Sequence, residues 1–160
     1  VRVIRTEAPT DAPSRALFAE YMELVRARLG DDFVPTEEIF ATEDDFAGAG
    51  AAWLVLYEDE RPVACGGLRP LARGVGEIKR MFVTANARGR GHGRALLGEL
   101  EGRARAAGCE RIRLYTTEVL REARALYREA GYRVVGVKAV GGRRDLWLEK
   151  RPGRRSPGRA

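Results

Sequence analysis

One histidine, two cysteines and three lysines in 160 residues leave little from which to build a metal centre or a disulfide framework. His92 stands alone, and Cys65 and Cys109 are far apart, so no cluster has the spacing of metal ligands. Two reduced thiols suit a cytoplasmic protein. No apolar run approaches the ~18 residues that a membrane-spanning helix needs. The opening Val1-Arg2-Val3-Ile4-Arg5 has no apolar stretch of the kind a secretory leader carries, so neither secretion nor membrane attachment is expected. With 44% hydrophobic and 32% charged residues the chain can bury a core, which excludes wholesale disorder. The length suits one domain, expected over residues 1–150.

The net charge of +6 suggests nucleic acid at first sight. However, the last ten residues hold four arginines and no acid, and without them 25 bases face 23 acids. The body of the chain therefore lacks the basic footprint of a specific nucleic-acid binder. Residues 151–160, rich in Pro, Gly and Arg, read as a disordered basic tail.

Hydrophobic spacing divides the rest. Residues 1–7 alternate weakly and read as a strand. Asp11 followed by Pro13 predicts a side-chain cap and a helix start, with Leu17, Phe18, Tyr21, Val25 and Leu29 on one face and Gly30 as the stop. Asp31, Asp32, Glu37, Glu38, Glu43, Asp44 and Asp45 follow without an intervening base, around a short helix opened by Thr36. Strands are expected at 53–57, 62–71 and 77–83, the first two joined by a polar turn at 58–61. A glycine-rich loop leads into a helix carrying Leu96, Leu97, Leu100, Ala104 and Ala107, closed by Gly108. A strand at 111–115, a helix at 119–130 and strands at 132–137 and 145–149 complete the order. The fold class is α/β of the α+β type: a mixed, mostly antiparallel sheet of six to seven strands with helices on both faces.

The chemistry concentrates in Arg88-Gly89-Arg90-Gly91-His92-Gly93-Arg94, between a strand and an amphipathic helix. Alternate glycines let the backbone approach a ligand, and the helix start offers unpaired N–H groups, which together make a phosphate cradle. The spacing is neither G-x-G-x-x-G nor a P-loop, since no G-K-[ST] follows. The blander reading is a flexible turn before a helix.

At this loop the chain resembles the GNAT superfamily of acyl-CoA-dependent N-acetyltransferases, whose [QR]-x-x-G-x-[GA] signature is met by Arg88-Gly89-Arg90-Gly91-His92-Gly93. The strand Glu77-Ile78-Lys79-Arg80-Met81-Phe82-Val83 resembles the family's fourth strand. Leu126-Tyr127-Arg128-Glu129-Ala130-Gly131-Tyr132 resembles its L-Y-x-x-x-G-[FY] block. The resemblance covers about residues 53–132 and implies the GNAT acyl-CoA N-acyltransferase fold, with acetyl-CoA as acyl donor and no metal. It implies that the amides of Gly89, Arg90, Gly91, His92, Gly93 and Arg94, with Arg88, hold the CoA pyrophosphate. The main chain of Met81, Phe82 and Val83 would hold the pantetheine arm, in a gap between strands 77–83 and 111–115. Leu120 stands where the family often has an asparagine.

An ammonium must lose a proton before it attacks a thioester, and the leaving thiolate must gain one. By the resemblance Tyr127 is the acid; the plain alternative is a core tyrosine. Glu77 falls where some members place a catalytic glutamate; the plain alternative is a strand-end surface acid. His92, the sole imidazole, reads as a loop or phosphate contact before a catalytic group. The implied reaction moves an acetyl group from acetyl-CoA to a primary amine by direct attack in a ternary complex. The acceptor is a small molecule or a peptide, the acid-rich stretch would attract a cationic one, and the resemblance leaves room for a homodimer. The alternative class is a non-catalytic CoA- or nucleotide-binding module.

Overall fold

The computed structural model describes residues 1–30 and 41–153. Seven strands form its sheet: β1 (Arg2–Thr6), β2 (Ala52–Glu58), β3 (Arg61–Ala72), β4 (Val75–Val83), β5 (Arg111–Thr117), β6 (Arg133–Val140) and β7 (Arg143–Lys150). Their spatial order is β1-β2-β3-β4-β5-β7-β6, antiparallel throughout except for the parallel pair β4–β5. Among the described residues three α-helices accompany them, α1 (Ala12–Leu29), α2 (His92–Ala106) and α3 (Arg121–Glu129). Running β4 and β5 parallel requires a crossover, and α2 supplies it.

Strand β2 shows how the layers are built. Ala52, Trp53, Leu54, Val55, Leu56 and Tyr57 are all buried, because alternate side chains enter opposite layers. Leu54 and Leu56 join Leu96, Leu97 and Leu100 of α2 and Tyr127 of α3 in the larger core. Trp53, Val55 and Tyr57 join Leu17 of α1 in the second. Helices thus cover both faces, as the sequence predicts. Each fully buried leucine of α2 contributes about 1.5–3 kcal/mol of transfer free energy.

Several local expectations need correction. Asp11 does sit at the N-cap of α1, but its side chain makes no cap bond to the helix. Its Oδ2 accepts from the Ala8 amide at 3.0 Å instead, because a turn in which the Asp11 amide donates to the Ala8 carbonyl at 3.1 Å brings the two residues together. Residues 58–61 contract to a two-residue turn, Asp59-Glu60, with φ of 48° and 68°, the handedness that suits a twisted hairpin. Val119 stays outside α3, where its carbonyl accepts from Arg28 Nη1 at 3.1 Å. The short helix at Thr36 and the disorder expected over the tail from residue 154 lie outside the described residues.

Candidate active site

The parallel pair β4–β5 is in register only from Val75↔Arg111 to Ile78↔Leu114. Beyond it, β4 carries one residue more than β3 between Cys65↔Phe82 and Gly67↔Lys79. That is a β-bulge, and Arg80 within it takes a φ of 56°. Strand β5 meanwhile follows β7 as far as Thr117↔Asp145. One strand bends and the other does not, so they splay. A cleft of about 410 Å³ opens between them, with Met81, Phe82 and Val83 on one wall and Tyr115 and Thr116 on the other. Phe82 turns its ring towards α1 and meets Tyr21 at 5.7 Å between centroids, whereas Met81 and Val83 pack on the α2 side.

At one end of the cleft α2 begins. Gly91 is its N-cap in the left-handed region (φ 80°), no side chain caps the helix, and its first turn holds no acid. The first intrahelical backbone bond runs from the Ala95 amide to the Gly91 carbonyl at 3.0 Å. The amides of His92, Gly93 and Arg94 are therefore left for an outside acceptor. His92 is 4% exposed and its Nδ1 is buried without a partner. Three free amides at an uncapped helix N-terminus fit an anion such as a pyrophosphate.

The predicted binding residues divide as follows. Met81, Phe82, Val83, Arg88, Gly89, Gly91, His92, Gly93 and Arg94 all line the cleft. Arg90 does not; it turns away to the Glu58 carboxylate and to the Asn86 carbonyl at 3.1 Å. Arg88 is tied down as well, with Nε donating to the Val83 carbonyl at 3.2 Å and Nη1 lying 3.9 Å from Glu122.

Tyr127 lines the cleft from α3 and is 5% exposed. Burial, assisted by Tyr21, pushes its phenol above the ordinary 10, so it stays a neutral donor over the whole working range. Glu77 is fully buried and is not on the cleft wall. Its Oε1 accepts from Arg69 Nε at 2.7 Å and lies 3.4 Å from Lys79 Nζ, while Oε2 has no partner. Lys79 does line the cleft. Burial pulls the Lys79 ammonium below its ordinary range, and Glu77 works against that pull.

The sequence reading missed Tyr21, Lys79, Tyr115 and Glu122 as cleft residues. Tyr21 carries only a helical-core signal, and Tyr115 only strand alternation. The Tyr115 hydroxyl donates to buried Asp145 at 2.7 Å, which Arg143 also holds at 2.9 Å. The described end of the acid-rich stretch, Glu43 to Asp45, finds counter-charges from elsewhere in the fold. Asp45 pairs with Arg69 at 3.1 Å and is held below its ordinary range by the Thr42 amide first and Arg69 after it, while Glu43 acts electrostatically on Arg80.

The model of the Acetyltransferase (GNAT) family matches residues 14–132, which hold the splayed strands, the glycine loop and Tyr127. The chain belongs to this family. As a GNAT acetyltransferase it is 32% identical over 123 residues to the IAA acetyltransferase of Azospirillum brasilense, across 76% of this chain and 80% of that protein. It is 31% identical over 120 residues to the mycothiol acetyltransferase of Beutenbergia cavernae, across 74% of this chain but only 36% of that protein. Among solved structures, an aminoglycoside 6'-N-acetyltransferase complexed with coenzyme A shares the fold, with a TM-score of 0.71 at 16% identity over 96% of this chain and 99% of that one. Among the described residues of this acetyltransferase, no helix is long and apolar enough to cross a membrane.

Proposed function

We propose that this GNAT protein transfers an acetyl group from acetyl-CoA to a primary amine by direct attack in a ternary complex, in the cytoplasm. One observation carries the reading: the uncapped first turn of α2, the bulged strand at Met81, Phe82 and Val83, and Tyr127 all line one cleft. Acetyl-CoA, when bound, supplies an activated thioester. The loop and the first turn of α2 would hold its pyrophosphate, and the main chain of Met81, Phe82 and Val83 would hold its arm.

Each protein group then has a defined task. Tyr127 donates its proton to the departing thiolate. A main-chain amide at Met81 or Phe82 faces the charge that develops on the carbonyl oxygen. Glu77 lies behind Lys79, so it acts at one remove, drawing the ammonium proton through Lys79 or water. The acceptor lies against Tyr21, Lys79 and Tyr115, on the α1 side of the cleft.

The deciding experiment incubates the protein with acetyl-CoA and a panel of small amines, amino acids and basic peptides, reading thiol release and acetylated product together. We expect transfer to one class of amine. Tight acetyl-CoA binding with neither transfer nor hydrolysis would leave a CoA-binding module. Absence of binding would remove the reading altogether.

A further inference from the structure

Arg80, at the bulge of β4, holds a conformation that suits glycine, with a φ of 56°. Among the described residues only Asp59 and Glu60 share this handedness without being glycine, and they form a hairpin turn. Arg80 lies inside a strand. Its strained backbone therefore needs a hold from elsewhere.

The side chain supplies it. Nη2 donates to the Ala41 carbonyl at 2.5 Å. The guanidinium lies over the Phe18 ring of α1 at 4.4 Å and over the Phe46 ring at 5.5 Å. Two glycines of β3 make room on either face of the bulge. A Cβ on Gly67 would run into the Phe46 ring, and one on Gly66 would run into the Met81 sulfur.

The main chain is turned accordingly. Thr84 donates its amide to the Val63 carbonyl of β3 at 2.9 Å. Successive amides of a strand face opposite edges, so with Ala64↔Val83 and Cys65↔Phe82 in register the Phe82 amide also faces β3. The Met81 amide faces the other way, into the gap where β5 has stopped pairing with β4. The Arg80 carbonyl agrees with this, because it accepts from Cys65 Sγ of β3 at 3.7 Å. In a trans peptide the N–H that follows, here that of Met81, points opposite to the carbonyl.

Resting on the reading that this cleft holds acetyl-CoA, we propose that Arg80 is a positioning residue for acyl transfer. Its side chain, anchored against α1, holds the bulged backbone in the conformation that aims the Met81 amide at the thioester carbonyl. Arg80 acts through the peptide it shares with Met81 and touches no reacting atom. It also joins the two layers of the site, since Phe18 sits on the helix that carries Tyr21, whereas Met81 packs on the α2 side. A glycine at this position would take the same φ unaided, and an alanine would not. That difference separates the backbone from the side chain.

The test uses acetyl-CoA labelled with carbon-13 at the acetyl carbonyl, in the absence of any amine. An amide donating to that oxygen moves the carbonyl NMR signal downfield, so the shift on binding reads the contact directly. We expect a downfield shift in the wild type, its loss in Arg80→Ala, and its retention in large part in Arg80→Gly, although both variants lose the same anchor. Arg80→Met fills more of the space without a donor or a charge, should also lose the shift, and replaces Arg80→Ala if that variant does not fold. With the best amine of the panel, kcat should follow the same order, falling on the order of 10²-fold in Arg80→Ala, as for loss of one oxyanion donor. The Kd for CoA should stay within a few-fold of wild type, because the first turn of α2 is untouched.

The Tm is taken for every variant, and kcat is read well below it. A residue serving the fold alone would lower Tm and leave the shift and kcat of the folded protein at wild-type values. That result, an unshifted carbonyl in the bound wild type, or an Arg80→Gly shift no larger than that of Arg80→Ala would overturn the proposal and leave the CoA reading intact. If acetyl-CoA does not bind the wild-type chain, the reading of the cleft falls and the proposal with it.

Discussion

The guanidinium of Arg28 meets the carboxylate of Glu122 in two parallel hydrogen bonds, Nη1 to Oε2 at 2.7 Å and Nη2 to Oε1 at 2.6 Å. The pair joins the last turn of α1 to the first turn of α3, helices on opposite faces of the sheet, beside the cleft that Glu122 lines. Its fork geometry is the stronger form of ion pair. Glu122 also lies 3.9 Å from Arg88, so one carboxylate links both helices to the arginine that opens the glycine loop.

That pair sets a pH dependence. The Arg28 hydrogen bonds chiefly hold Glu122 at about 2, against an ordinary 4.5. A depressed acid adds stability above its unfolded value and loses it as the pH falls towards the folded one, here between about 4.5 and 2. Glu122 is half exposed, so solvent screening limits Glu122→Gln to a loss of at most ~1 kcal/mol at pH 7. Urea unfolding at pH 7 and pH 3 should show the gap between wild type and mutant narrowing. A gap of constant size would detach the pair from the stability.

Tyr127→Phe keeps the ring that packs edge-on against Tyr132 at 5.9 Å between centroids. It removes only the proton donor. The kcat should fall on the order of 10²–10⁴-fold with little change in KM for acetyl-CoA. Because burial holds the phenol above its ordinary 10, the wild-type kcat should show no alkaline loss from this group below that pH. A mutant with wild-type kcat would make Tyr127 a packing residue.

Gly91 tests the cradle through its backbone. Its φ of 80° strains any side chain, at a cost of about 1–3 kcal/mol, and a β-branched residue suffers most. We expect Gly91→Val to lose acetyl-CoA affinity severely and Gly91→Ala to lose less. Arg88→Ala should weaken binding mildly, since this arginine is already engaged with Val83 and Glu122. Calorimetry on folded Gly91→Val that finds wild-type affinity would refute the cradle.

Glu77→Gln has two separable effects. It leaves Arg69 and Lys79 without their buried anion, so Tm should drop, breaking such a pair costing ~3–5 kcal/mol. If Glu77 also draws the ammonium proton, kcat/KM of the folded mutant should fall at neutral pH and recover partly towards pH 10, where free amine is abundant. Superimposable profiles alongside a lowered Tm would assign Glu77 to the fold alone.

Much of this molecule was legible in one dimension. Short continuous apolar runs such as Trp53-Leu54-Val55-Leu56-Tyr57 and the helical spacing of Leu96, Leu97 and Leu100 are local patterns, and they placed the strands and helices. The glycines at 89, 91 and 93 marked the turn into α2 because left-handed backbone at a helix start is itself a local demand, met at Gly89 and Gly91. Alternation of a single strand, however, does not state its register against a neighbour. The extra residue at Arg80 that parts β4 from β5 appears only once β3 is laid alongside.

The same limit hid the charges. Glu77 reads as a strand-end acid until Arg69, eight residues earlier, is brought opposite it across the β3–β4 pairing. Glu58 and His92 are 34 residues apart, and Arg28 and Glu122 are 94 apart. The sequence by itself determined which residues are apolar on which face, and hence the elements and the loop chemistry, because those depend on neighbours along the chain. Only the tertiary structure decided which acids are buried, which cations they meet and which phenols share the cleft, because ion pairing and desolvation depend on distances in space that no local pattern encodes.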